Sequence, residues 1–90
     1  MHSYIYRMME VCTRVDGPPG VLAWYTAHFI QRPDYQRLAG LWIAEPRMIV
    51  LDKTMANDPP TVSHEALHDI LGGNAAHGSQ LFQRCQIRPL

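Results

Sequence analysis

Residues 58–73, which decide the fold, read Asp-Pro-Pro-Thr-Val-Ser-His-Glu-Ala-Leu-His-Asp-Ile-Leu-Gly-Gly. Asp58 suits a helix N-cap, and Pro59 suits the first helical position, where its missing N–H leaves no hydrogen bond unmade. The two glycines at 72 and 73 end a helix in the way that a C′ glycine does. Between these signals, apolar residues recur at helical spacing: Val62, Ala66, Leu67, Ile70 and Leu71. The pattern predicts a helix over residues 59–71.

Residues 64–68 of this helix form an HExxH run. Because positions four apart lie one turn above each other on a helix, His64 and His68 can offer two imidazoles to one zinc ion. Glu65 lies about 100° further round the helix. From there its carboxylate can reach a metal-bound water as a general base without becoming a ligand itself.

A catalytic zinc site normally has three protein ligands, so the sequence has to supply one more. His77 is the expected third ligand, since it follows the glycine pair and comes nine residues after His68. A loop of this length can return a side chain to the ion. Three alternatives stay open at this stage: His28, Asp69 and Glu45.

Other stretches predict the remaining elements of a single domain over residues 1–90. Helical spacing of Ile5, Met8, Met9 and Cys12 indicates an amphipathic helix over about 3–12, and β-forming residues indicate a strand over 21–27. Apolar runs at 40–44 and 47–51, separated by Glu45-Pro46, indicate a β-hairpin, and a short turn or helix is expected over about 79–85. We therefore expect an α+β fold in which a small antiparallel sheet of about three strands packs on an N-terminal helix and the HExxH helix.

Charge and hydropathy exclude some classes of partner. Eight basic residues balance eight acidic ones and neither sign forms a run, so we expect no nucleic-acid or membrane-surface partner. No apolar stretch approaches the roughly 18 residues of a membrane-spanning helix. Arg7, Glu10 and Arg14 interrupt the first 15 residues, which as they stand are not expected to be a signal peptide. The compartment stays open.

The two cysteines, Cys12 and Cys85, lie near opposite ends of the chain and do not form a CxxC pair. A disulfide between them would add stability on the order of 4 kcal/mol in the chain-entropy model. The alternative is two unrelated buried thiols. Pairing would favour an extracytoplasmic compartment.

The stretch from 40 to 85 resembles small bacterial and phage HExxH zinc metallopeptidases, which are reduced zincins. The segments that carry the resemblance are Gly-Leu-Trp at 40–42, Arg-Met-Ile-Val-Leu at 47–51, Val-Ser-His-Glu-Ala-Leu-His-Asp-Ile-Leu-Gly at 62–72, His77-Gly78, Phe82 and Cys85. The resemblance covers about half of the chain. It implies zinc ligation by His64, His68 and His77, Glu65 as base, and a short antiparallel sheet whose edge strand precedes the active-site helix.

The spacing departs from two larger zincin groups. Relative to the metzincin pattern HExxHxxGxxH, Gly72 falls one place late and His77 three places late. Gluzincins take a third ligand from a later glutamate, but no Glu follows Glu65.

The expected function is therefore that of a zinc-dependent metallopeptidase, which hydrolyses a peptide or protein substrate by a metal-activated water with Glu65 as general base. If the strand over 47–51 is an exposed edge, its Met48, Ile49 and Val50 would bind an extended substrate by main-chain hydrogen bonds. His28 and Tyr25 are candidate oxyanion donors. Two alternatives remain: a non-catalytic, zinc-stabilised structural or regulatory module, and a coincidental motif in an interaction domain. The sequence leaves the oligomeric state open.

Overall fold

The structure, a computed structural model, describes residues 1–28, 39–73 and 78–89. Within these ranges the chain forms an α+β domain with three strands and three helices. The elements, in chain order, are α1 (His2–Thr13), β1 (Ala23–Ala27), β2 (Gly40–Ile43), β3 (Met48–Asp52), α2 (Pro59–Leu71) and α3 (Gln80–Cys85), with a 3-10 turn at Lys53–Met55 before α2.

The sheet is mixed, and its strand order is β1-β3-β2. The predicted hairpin is confirmed: β2 pairs antiparallel with β3, and the turn between them contains a cis peptide bond at Glu45-Pro46. However, β1 pairs parallel with β3, from Ala23 opposite Met48 to Ala27 opposite Asp52. The expected all-antiparallel sheet is therefore wrong. β2 lies at the edge of the sheet away from β1. The hairpin after β2 then places β3 between β2 and β1.

The central position of β3 also corrects the expected substrate strand. Substrate binding by Met48, Ile49 and Val50 requires their strand to be an exposed edge, but these residues pair with β1 on one side and with β2 on the other. Their strand therefore has no free edge to offer a peptide. Among the described residues, the edges of the sheet are β1 and β2.

Helix α2 begins and ends where the sequence predicts. The side chain of Asp58 accepts a hydrogen bond from the backbone N–H of Thr61 at 3.1 Å, and Gly72 adopts the left-handed conformation with φ 81°. In α1, Ile5 and Met9 face the core as expected, whereas Met8 is exposed. The apolar core lies between these helices and the sheet and consists of Ile5, Met9, Ile49, Leu51, Val62, Ala66, Leu67, Ile70, Phe82 and Cys85.

A disulfide bond joins α1 to α3. Cys12 and Cys85 are bonded, with their Cα atoms 5.8 Å apart, so the pairing considered from the sequence is present. The segment after α3 is also bound to α2, because the backbone N–H of Ile87 donates to Ser63 Oγ at 3.0 Å. Among the described residues, no helix has the length and hydropathy needed to cross a membrane.

A buried ion pair fixes α2 to the other elements. The side chain of Asp69 is only 1% exposed and lies 2.6 Å from the guanidinium of Arg47, whose Nε also donates to both carboxylate oxygens. Tyr6 Oη donates to Asp69 at 2.7 Å, and Trp42 Nε1 donates to it at 3.1 Å. Burial raises the pKa of Asp69, but the hydrogen bonds from Arg47, Tyr6 and Trp42 outweigh burial and hold the pKa below its usual range. One carboxylate therefore joins α1, β2 and the hairpin turn to α2.

Replacement of this carboxylate is expected to be costly. Asp69→Asn leaves the Arg47 charge without its partner, and breaking a buried pair in this way costs about 3–5 kcal/mol of unfolding free energy. The folded pKa of Asp69 lies below its unfolded value. The difference in unfolding free energy between wild type and Asp69→Asn should therefore be largest above about pH 4 and decrease on acidification. Urea unfolding with the disulfide intact measures both effects.

The matched control is Asp16→Asn. Asp16 is 92% exposed on its side chain and lies 4.0 Å from Arg7. Exposed pairs contribute at most about 1 kcal/mol. A loss of stability in the Asp69 variant no larger than in this control would contradict the structural role assigned to the buried carboxylate.

Candidate metal centre

The two histidines of the HExxH run converge. Their Nε2 atoms lie 3.2 Å apart on one face of α2. Two nitrogens bound tetrahedrally at about 2.0–2.1 Å from one zinc ion would lie about 3.3–3.4 Å apart. The observed separation is close to this value, so the distance between the two nitrogens suits a single zinc ion.

A backbone carbonyl sets the tautomer of His68. Its Nδ1 lies 3.0 Å from the carbonyl oxygen of Gly73. Because a carbonyl oxygen only accepts hydrogen bonds, Nδ1 must carry the proton, and in the neutral ring Nε2 then presents its lone pair. Gly73 can supply this carbonyl because it has φ 135°, a conformation that residues with a Cβ rarely adopt. Such a hydrogen bond behind a histidine ligand is the usual arrangement in metal sites.

Aromatic side chains surround both imidazoles. Phe82 of α3 lies edge-on to His64, with ring centroids 5.0 Å apart, and to His68, with centroids 5.1 Å apart. On β2, the ring of Trp42 lies nearly parallel to that of His68, with centroids 6.2 Å apart and planes 14° apart. Together these neighbours restrict rotation of the His68 ring. They also shield it from water.

Glu65 lies beside the histidine pair in an open cleft. The cleft has a volume of about 270 Å³, and its lining includes Glu65, His64 and Gly40. Glu65 itself is only 6% exposed, and burial raises its pKa from the ordinary value of 4.5 to about 7. Gly40, the first residue of β2, makes the close approach possible, because a Cβ there would lie 2.9 Å from Glu65 Cγ and 3.2 Å from its Oε2.

The third ligand expected from the sequence, His77, lies outside the described residues. Within the residues that the structure does describe, no group of three or more His, Cys, Asp or Glu side chains could hold a metal ion. The three alternative ligands are therefore not brought to the histidine pair. For Asp69 the physical reason is plain, since Arg47, Tyr6 and Trp42 occupy its carboxylate.

The candidate oxyanion donors are not brought to the cleft either. Tyr25 lies on β1 and is 54% exposed, and His28 follows the same strand. Because β3 lies between β1 and β2, a whole strand separates β1 from Gly40. Neither residue is part of the lining described for the cleft.

Several residues of the site were not given a role there from the sequence: Gly40, Trp42, Arg47, Asp69 in its structural role, and Phe82. One signal was available for Asp69. It lies seven positions after Val62 and three after Ala66, on the stripe that faces the core, where a carboxylate requires a partner. The identity of that partner depends on contacts between elements distant in sequence.

Comparison of the chain with protein-family models, with curated proteins and with solved structures finds no match. The functional assignment therefore depends on the geometry of the site. The geometry provides two converging imidazoles and a buried carboxylate in an open cleft.

The burial of Glu65 predicts that its carboxylate destabilises the metal-free protein. Glu65→Gln is expected to raise the unfolding free energy by about 3 kcal/mol above pH 7, because glutamine has no charge to desolvate. Since the folded pKa of Glu65 lies above the unfolded one, the gain should vanish below about pH 4.5 and grow as the pH rises to about 7. Urea unfolding in the presence of a metal chelator measures the difference.

Glu45→Gln serves as the control, because Glu45 is exposed in the hairpin turn. It should change the unfolding free energy by no more than about 0.5 kcal/mol, as is usual for an exposed side chain. Equal stability of wild type and Glu65→Gln at alkaline pH would contradict the burial of this carboxylate.

Proposed function

We propose that this protein is a zinc-dependent metallopeptidase. The observation that carries the proposal is the 3.2 Å approach of His64 Nε2 and His68 Nε2, with Glu65 in the adjoining cleft. Two imidazole nitrogens at this separation suit one tetrahedral zinc ion. A carboxylate one residue after the first histidine suits the base of a hydrolytic reaction.

Glu65 performs the proton transfers in this proposal. Its carboxylate accepts a proton from the attacking water and then donates that proton to the amine that leaves the cleaved peptide bond. Burial raises the pKa of the Glu65 carboxyl in the metal-free protein, and a carboxyl that holds a proton more readily than usual can pass it on to the leaving amine. Bound zinc supplies Lewis acidity, which polarises the scissile carbonyl and makes the attacking water more acidic.

Strand β2 replaces β3 as the proposed binding strand for substrate. Among the described residues it is an edge of the sheet, and its first residue, Gly40, lies against Glu65. An extended peptide can pair with such an edge by main-chain hydrogen bonds. The peptide bond would then pass the cleft that contains His64 and Glu65. The proposed substrate is accordingly an extended segment of a peptide or protein.

The open cleft favours catalysis over the alternative of a structural zinc module. Structural zinc sites are normally closed by four protein ligands, whereas catalytic sites keep one position for water or substrate. A buried acid whose ionisation costs stability also has no use in a purely structural site. The mixed sheet differs from the antiparallel sheet expected for a reduced zincin, so support for the proposal comes from α2 and its surroundings.

An oxidising compartment is the proposed location. The disulfide between Cys12 and Cys85 is of the kind that persists outside the cytosol.

Three variants test the proposed chemistry. Glu65→Gln should retain zinc and lose peptide hydrolysis by about 100-fold or more, since general acid–base catalysis contributes at least this much. His64→Ala should lose both zinc and activity. His2→Gln is the control, because the ring of His2 stacks on Trp24 instead of joining the histidine pair. Metal analysis and cleavage of an unstructured protein substrate are the measurements, and full activity of zinc-loaded Glu65→Gln would exclude Glu65 as the base.

The third ligand is tested separately. We propose His77 for this role, and His77→Ala should then raise the Kd for zinc by about 100-fold or more, since two histidines alone bind zinc weakly. His28→Ala should leave the Kd unchanged. Zinc affinity that is equal in wild type and His77→Ala would remove His77 from the site.

A further inference from the structure

Helix α3 depends on the rest of the domain for its position. It has only six residues, Gln80–Cys85, and a helix of this length is not stable alone in water. Two side chains attach it to the domain from within the helix. Phe82, which is 2% exposed, packs into the core, and Cys85 is bonded to Cys12 of α1.

The position of α3 in turn affects the histidine pair. Phe82 presents its ring to both imidazoles at centroid distances of 5.0 and 5.1 Å, with interplanar angles of 83° and 61°. Cys85 lies three residues after Phe82, so both side chains project from the same side of α3. A displacement of α3 would therefore withdraw the aromatic wall that restricts His64 and His68.

We propose that Phe82 is a positioning residue for the zinc ligands and that the Cys12–Cys85 disulfide holds it in place, so that zinc affinity depends on the redox state of the disulfide. The inference rests on the proposed function, because it concerns the same pair of histidines. It adds a regulatory link between the thiol chemistry of the disulfide and the metal chemistry of the histidine pair. Neighbours that orient metal ligands typically contribute about 10-fold to 100-fold in metal affinity.

The redox step is a thiol–disulfide exchange with an external dithiol. The dithiol gives two electrons and two protons, becomes a disulfide itself, and leaves Cys12 and Cys85 as thiols. Cys12 is exposed, whereas Cys85 is 6% exposed, so the reductant would attack at Cys12. Reduction breaks the covalent link between α1 and α3 and leaves α3 held by the packing of Phe82 and by the hydrogen bond from Ile87 to Ser63 Oγ.

The experiment measures the Kd for zinc by competition with a chromophoric chelator, without any thiol reagent. The disulfide-bonded wild type is compared with the double variant Cys12→Ser and Cys85→Ser, which cannot bind zinc through freed thiols. Phe82→Leu keeps the disulfide and an apolar side chain but removes the ring. Ile49→Ala in the central strand is the control for stability alone, since its cost of about 2–5 kcal/mol matches that of losing a disulfide.

The expected result is a Kd about 10-fold to 100-fold higher in the double serine variant and in Phe82→Leu, and within about twofold of wild type in Ile49→Ala. With Co²⁺ in place of zinc, the visible absorption should change in the first two variants only. Equal affinity in wild type and a folded double variant would overturn the proposal. So would an equal loss of affinity in Ile49→Ala, because the effect would then reflect general destabilisation.

The remaining outcomes are also decisive. If circular dichroism shows that the double serine variant is unfolded, Phe82→Leu decides, and an unchanged Kd there overturns the role of Phe82. If the oxidised wild type binds no zinc at all, the proposed function fails and this inference fails with it. If zinc binds tightly and its Kd is the same with and without the disulfide, only the inference is overturned.

Discussion

Side chains from three parts of the chain converge on the carboxylate of Asp69, which directly follows the second histidine of the HExxH run. Tyr6 comes from the first helix, Trp42 from an edge strand, and Arg47 from the end of the hairpin turn. A charge buried to this extent would be very costly without such partners, whereas with them it fixes the relative position of three elements. Because His68 is its neighbour on α2, the same interaction fixes the histidine pair of the helix relative to the sheet.

Two carboxylates on α2 are affected in opposite directions by their surroundings. Asp69 has a lowered pKa because its hydrogen-bond donors outweigh its burial, whereas Glu65 has a pKa raised to about 7 because burial removes water from its carboxylate. The first carboxylate stabilises the folded chain, and the second costs stability at neutral pH. Proteins use surroundings that shift pKa values in opposite directions to give carboxyl groups different structural and chemical roles.

Local signals predicted α2 well, because its N-cap, its proline and its terminal glycines act on their immediate neighbours. The hairpin was predicted for the same reason. The parallel pairing of β1 with β3 could not be predicted, since strand order depends on where a connection of a dozen residues leads the chain. The partners of Asp69 and the contact of Gly40 with Glu65 were likewise missed, because they join residues at least 22 positions apart.

The carbonyl of Gly73 gives the end of α2 a chemical role as well as a conformational one. A residue with a Cβ would be strained at φ 135° and would redirect the oxygen that fixes the proton on His68 Nδ1. Under the proposed function, the glycines, the histidines and the two acids of this segment each have a separate physical reason to be present. Homologues too divergent for overall similarity to detect should therefore still share the pattern HExxHDxxGG, and this short string is the trait by which a lineage of such proteins could be traced.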